Sequence, residues 1–152
     1  MDTETRYGFG PHLMLDCYGC SKGKLADMDF IFNILDTFPK KIGMHKIMPP
    51  HVFTYHGKVA EDWGVSGVVL IAESHISIHT FPEKEHAFID IFSCKDFDVD
   101  YARDLMLDYF DSAHHETVLL NRGMEFPKNM PKAMNLVGRE RRDISEHSRI
   151  YH

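Results

Sequence analysis

Residues 63–94 decide how this chain is read: Trp63-Gly64-Val65-Ser66-Gly67-Val68-Val69-Leu70-Ile71-Ala72, then Glu73-Ser74-His75-Ile76-Ser77-Ile78-His79-Thr80-Phe81-Pro82-Glu83, then the run from His86 to Cys94. Within it, residues 65–72, 75–80 and 86–94 are rich in Val, Ile and Phe, and each has the length of a strand. β-Branched and aromatic side chains suit a pleated, half-buried surface. The links between the runs are only a few residues long, which joins antiparallel neighbours, because parallel ones need a crossover of a dozen residues or more. An antiparallel sheet is therefore expected at the centre of the chain.

Toward the N-terminus, residues 12–18 alternate loosely between apolar and polar and stop at Gly19, which reads as a further strand. Leu25, Met28, Ile31, Leu35 and Phe38 recur every three to four residues, the spacing of one helix face, and Pro39 and Gly43 are expected to end that helix. Pro49 and Pro50 open a short strand at 51–56, and 57–64 is a polar connector containing Glu61 and Asp62. Toward the C-terminus a second amphipathic helix is expected at 98–110, capped by Asp98 and burying either Tyr101, Leu105 and Tyr109 or Ala102, Met106 and Tyr109. Residues 116–121 return to the sheet, and 128–152 read as a mobile charged tail. The order β, α, several β, α, β predicts an α+β fold: an antiparallel sheet with helices on one face, a two-layer sandwich, with 1–152 as a single domain. The bare face of such a sheet needs cover, and a second copy is expected to supply it, giving a homodimer through or beside the sheet.

Composition excludes several classes. A chain of 152 residues with 43% apolar content suits one core. Its formal charge of −6, with 23 acidic against 17 basic residues, is wrong for tracking phosphates, so no nucleic-acid partner is expected. Residues 1–10 lack an apolar h-region, and the longest apolar run, 68–72, is too short to span a bilayer, so a soluble cytoplasmic protein with no membrane partner is expected. Cys17, Cys20 and Cys94 make an odd count, which favours thiols over a disulfide framework. Eleven histidines, among them His75, His79 and His86, raise a metal-binding module as one reading, but no metal site is assigned, and Cys17-x-x-Cys20 lacks a second pair.

Ser74 beside two histidines has the composition of an activated nucleophile, yet no Gly-x-Ser-x-Gly elbow surrounds it. The Gly-Val-Ser-Gly-Val-Val run at 64–69, Glu-Ser-His at 73–75, Ile-His-Thr at 78–80, the aromatic-Pro-Glu at 81–83 and the strand ending in Cys94 together resemble the prokaryotic S-adenosylmethionine decarboxylase family. The resemblance extends over roughly residues 11–127. It implies a proenzyme in which Ser74 attacks the carbonyl of Glu73, the acyl group moves from nitrogen to oxygen, and elimination and hydrolysis leave chains 1–73 and 74–152. The second chain would begin with a pyruvoyl group derived from Ser74, the covalent cofactor of the family. That group takes the substrate's α-amine and draws electrons from the departing carboxylate. The implied reaction converts S-adenosylmethionine to its decarboxylated form, the aminopropyl donor of spermidine synthesis.

By position, His79 matches the family's processing base, apt because an unperturbed imidazole has a pKa of about 6.5. Ser66 matches a residue that assists processing by hydrogen bonding, and Cys94 matches the donor that returns a proton to the product carbon. Alternation along one strand puts residues 74 and 79 on opposite faces, so a bend or bulge near Ser74 is expected. Glu83, Phe81 and Trp63 are the expected substrate contacts. The family commonly carries a Phe six residues before Ser66, where this chain has Ala60, so that either Trp63 replaces that ring or the adenine contact is lost. Glu61 and Asp62 could instead read a guanidinium or a second ammonium, which keeps arginine or ornithine decarboxylation as the alternative. A non-catalytic paralogue is the remaining reading, against which the trio Ser74, His79 and Cys94 argues.

Overall fold

The computed structural model describes residues 8–127, so the tail expected at 128–152 lies outside the described residues. Six strands, β1 (Gly10–Tyr18), β2 (His51–His56), β3 (Trp63–Ile71), β4 (Ser74–Phe81), β5 (His86–Ser93) and β6 (His114–Arg122), form one sheet in the order β2-β3-β4-β5-β1-β6. Every neighbouring pair is antiparallel. Three helices, α1 (Lys22–Leu25), α2 (Met28–Lys41) and α3 (Val99–Tyr109), complete the α+β architecture.

The core lies between the helices and one sheet face. Leu13, Leu15, Val65, Val69, Ile76, Ile78, Ile89 and Ile91 point into it, alternating along their strands, and meet Ile31, Leu35, Phe38, Ala102, Met106 and Phe110. Gly67 falls on this face because α2 passes close by: a Cβ there would come within 2.6 Å of Leu35 Cδ1. Thr80 is one of the buried polar residues, with Glu73 and Ser93. Its hydroxyl donates to the Leu25 carbonyl at 2.7 Å and accepts from the Val65 amide at 3.0 Å, tying α1 to β3 through β4.

The first helix differs from expectation in two ways. The apolar face running from Leu25 to Phe38 is split between α1 and α2, because Asp27 accepts from the Phe30 amide at 3.1 Å and caps a new helix. Met28 is consequently 40% exposed instead of buried. Pro39 does not end α2 but sits in its last turn; its fixed φ is helical, and only one ladder bond is lost so near the terminus. In α3 Asp98 caps as expected, and of the two faces the Ala102 and Met106 face is the buried one, with Tyr101 46% exposed. Among the described residues no helix is long and apolar enough to cross a membrane.

No described helix covers the opposite sheet face. It carries Leu70, Val118, Leu120 and Phe53, exposed by 41–62%, around a polar centre of His12, Asp16, Ser77, His79 and Asp90.

Candidate active site

Ile71 pairs with Ser74, so Ala72 and Glu73 alone make the turn between β3 and β4. Two-residue hairpins match strand twist by adopting positive φ at their central residues. Here the positive φ falls one residue later, on Ser74, at 156°. An L-residue with a Cβ is strained there by roughly 1–3 kcal/mol. The expected bulge is not found, since β4 pairs without interruption from Ser74 to His79 with β3 and from Ser74 to Phe81 with β5. The distortion is concentrated instead at the Glu73–Ser74 junction.

Three contacts hold that junction. The Glu73 carbonyl oxygen accepts from the Cys94 amide at 2.8 Å. The Glu73 side chain, 2% exposed, accepts from the His45 amide at 3.1 Å and shares a hydrogen bond with His45 Nδ1 at 3.0 Å. Cys94 itself is held by buried Ser93, whose hydroxyl accepts from the Lys95 amide at 2.9 Å and donates to the Lys95 carbonyl at 2.7 Å. The result is a carbonyl already polarised by the Cys94 amide, a disposition suited to negative charge developing on that oxygen.

The Ser74 hydroxyl lies 3.2 Å from His75 Nδ1. The His75 ring is packed edge-on against Phe92 at 5.6 Å and His12 at 6.5 Å between centroids. Burial lowers its affinity for a proton, the neighbouring His12 and Arg122 act in the same direction, and Asp90 opposes them. His75 therefore favours its neutral form.

A second cluster sits at the other end of β4. His79 Nδ1 and the Ser66 hydroxyl share a hydrogen bond of 2.9 Å on the uncovered face. Trp63 donates its indole N–H to Glu83 at 3.2 Å and stacks on His56 at 6.2 Å, while Lys22 reaches Glu83 at 2.7 Å and depresses its pKa, with the Trp63 bond adding to this. Phe81 packs edge-on against Phe88 at 5.5 Å. Of the five residues expected to bind substrate, Phe81 shares a face of β4 with His79, whereas Trp63 and Glu83 bond to each other and, through Glu83, to Lys22 of α1. Asp62 turns back on its own connector: its carboxylate occupies the space that a Cβ on Gly57 would enter.

Sequence reasoning missed Phe53. Looking six residues before Ser66 finds Ala60, but the β2–β3 register sets Phe53 directly opposite Ser66, and its ring is 62% exposed. The signal was the β-type run at 51–56, legible as a strand but without its register. His45 and His75 were also passed over as partners of the Glu73–Ser74 junction.

Cys17 and Cys20 are buried thiols hydrogen-bonded to each other, a bond that raises the Cys17 pKa. Among the described residues no three His, Cys, Asp or Glu side chains converge as a metal site.

The structure thus holds a strained Glu-Ser junction at a hairpin turn of an antiparallel sheet with helices on one face. The family model of S-adenosylmethionine decarboxylase matches residues 11–123. An S-adenosylmethionine decarboxylase proenzyme of Bacillus velezensis is 36% identical over 122 residues, spanning 76% of this chain and 86% of that protein. One from Pyrococcus furiosus is 34% identical over 117 residues, spanning 76% and 80%. The crystal structure of the adenosylmethionine decarboxylase of Aquifex aeolicus superposes with a TM-score of 0.66 at 30% identity, covering 77% of this chain and 92% of that one. The chain belongs to the S-adenosylmethionine decarboxylase family.

Proposed function

We propose that this protein cleaves itself between Glu73 and Ser74, converts Ser74 to a pyruvoyl group, and decarboxylates S-adenosylmethionine. The observation that carries this reading is the 2.8 Å bond from the Cys94 amide to the Glu73 carbonyl. It polarises the carbonyl that the Ser74 hydroxyl must attack, and it fixes Cys94 beside the residue that becomes the reactive end of the second chain. A pyruvoyl group there supplies a carbonyl for the substrate's amine and a sink for the electrons left by the carboxylate. The Cys94 thiol, one residue beyond the end of β5, is placed to return a proton to the substrate carbon.

His79 and Ser66 serve from a second copy. Five residues of strand put His79 about 16 Å from Ser74, too far for proton transfer within one chain. A two-fold axis between two uncovered sheet faces, perpendicular to β4, lays the Ser74 end of one strand over the His79 end of the other. The exposed apolar residues Leu70, Val118 and Leu120 support burial of this face. Such a homodimer brings Phe53 and Phe81 of each copy toward the cleavage junction of its partner.

Cleavage leaves the fold intact. β1, β2 and β3 belong to chain 1–73 and β4, β5 and β6 to chain 74–152, and β1 lies between β5 and β6. The two products are interleaved by the pairings β3–β4, β5–β1 and β1–β6. S-adenosylmethionine is favoured over arginine or ornithine because Asp62 packs on its own connector, whereas aromatic rings line the end that holds His79. Intact mass, together with carbon dioxide release from carboxyl-labelled S-adenosylmethionine, arginine and ornithine, tests the reading. Two chains divided at residues 73 and 74 and release from S-adenosylmethionine alone are expected; a chain that stays whole, or release only from a basic amino acid, overturns it.

A further inference from the structure

The self-cleavage reading needs a group to take the Ser74 hydroxyl proton as its oxygen attacks the Glu73 carbonyl. Within the chain His79 is displaced by about 16 Å of strand, and its Nδ1 is occupied by Ser66 at 2.9 Å. His75 Nδ1, in contrast, lies 3.2 Å from the Ser74 oxygen.

We propose that His75 is the general base of the first step, the nitrogen-to-oxygen acyl shift, so that proenzyme cleavage uses two histidines in sequence, His75 for ester formation and His79 for the elimination that follows.

The proposal rests on the self-cleavage reading and refines it. In the neutral tautomer with the proton on Nε2, His75 Nδ1 accepts the Ser74 hydroxyl proton while the oxygen–carbon bond to Glu73 forms. The same proton then passes to the Ser74 nitrogen as the carbon–nitrogen bond breaks. The product is an ester with a free amine, and no outside reagent is consumed. The Cys94 amide, 2.8 Å from the Glu73 oxygen, steadies the charge on that oxygen between the two events.

Packing holds the ring for this task. Phe92 on β5 lies opposite His75 and stacks edge-on against it, so the imidazole is oriented before the reaction. The titratable and charged groups facing it from neighbouring elements are Asp90 of β5, His12 of β1 and Arg122 of β6. His12 bonds Asp90 at 2.9 Å, which draws much of that carboxylate's influence away from His75. The ring is thereby kept neutral, the form that accepts a proton. The positive φ at Ser74 contributes too, because the shift breaks the peptide bond that imposes it.

The experiment follows freshly synthesised full-length precursor by intact mass, with hydroxylamine added to aliquots to split any ester. Wild type, His75→Ala, His75→Asn and His79→Ala are compared between pH 5 and 8. Both His75 variants should form hydroxylamine-sensitive ester about 100-fold more slowly or less, the usual loss for a general base. His79→Ala should form ester and accumulate it. The wild-type rate of ester formation should fall at acid pH with a midpoint below the ordinary histidine value of about 6.5, and His75→Asn, which keeps a hydrogen-bond acceptor for Ser74, should lose that dependence. Added imidazole should restore ester formation in His75→Ala, which a role in folding alone does not allow. Ester formation at wild-type rate in His75→Asn, or an unchanged pH profile, overturns the assignment while self-cleavage stands. A wild-type chain that never cleaves overturns both.

Discussion

Ser74 and His79 stand five residues apart on the same unbroken strand, β4, with about 16 Å of extended chain between them. A processing residue and its base cannot meet within one chain in that arrangement. Co-expression of Ser74→Ala and His79→Ala chains therefore should yield cleaved product, all of it from the His79→Ala chain, because only a mixed pair unites an intact Ser74 with an intact His79. Mass spectrometry of tagged chains reads this directly. If the mixture stays uncut while wild type is processed, the shared site is wrong.

The bond between the Cys94 amide and Glu73 is made by backbone, whereas turnover calls on the thiol. Replacing Cys94 by Ala keeps the amide and removes only the proton donor. Cleavage is expected to survive with little change, while carbon dioxide release declines as the pyruvoyl group is lost to protonation at the wrong carbon. Cleaved Cys94→Ala protein with full and lasting turnover would remove the thiol from the mechanism.

Phe53 faces the Ser66–His79 pair with its ring largely in solvent. Truncation to Ala should weaken use of S-adenosylmethionine by about 0.5–1.5 kcal/mol, the scale of one stacking contact. The loss appears in kcat/KM. Trp63→Ala should have a similar effect, and Glu61→Gln and Asp62→Asn should be nearly silent. A large loss in the acidic variants with none at Phe53 would point to recognition of a basic side chain.

Thr80 satisfies both the Leu25 carbonyl and the Val65 amide inside the core. The nearly isosteric change Thr80→Val strands these buried groups and should cost about 1–3 kcal/mol. Denaturant titration of an uncleaved Ser74→Ala background isolates that loss from any effect of chain cleavage. A midpoint equal to that of the background protein would show that water or rearrangement meets both groups.

The amino-acid sequence by itself determined the elements and the chemistry available to them. Alternation of Ile with His and Ser at 74–81 made a strand with one buried face, the period of residues 99–109 made a helix with Asp98 at its cap, and Glu73-Ser74-His75 with Cys94 marked the junction. These are local properties, set by spacing and side-chain type. Only the tertiary structure decided who meets whom. Antiparallel register placed the Cys94 amide on the Glu73 carbonyl across the β4–β5 ladder, Phe53 opposite Ser66 across β2–β3, and His45 on the Glu73 carboxylate, contacts between residues 13 to 28 positions apart. It also moved the hairpin's positive φ onto Ser74, where no turn residue marks it in the sequence. The reason is physical: a shift of one residue in register turns every side chain to the other face, so each local pattern is compatible with several pairings until the whole sheet closes on its core.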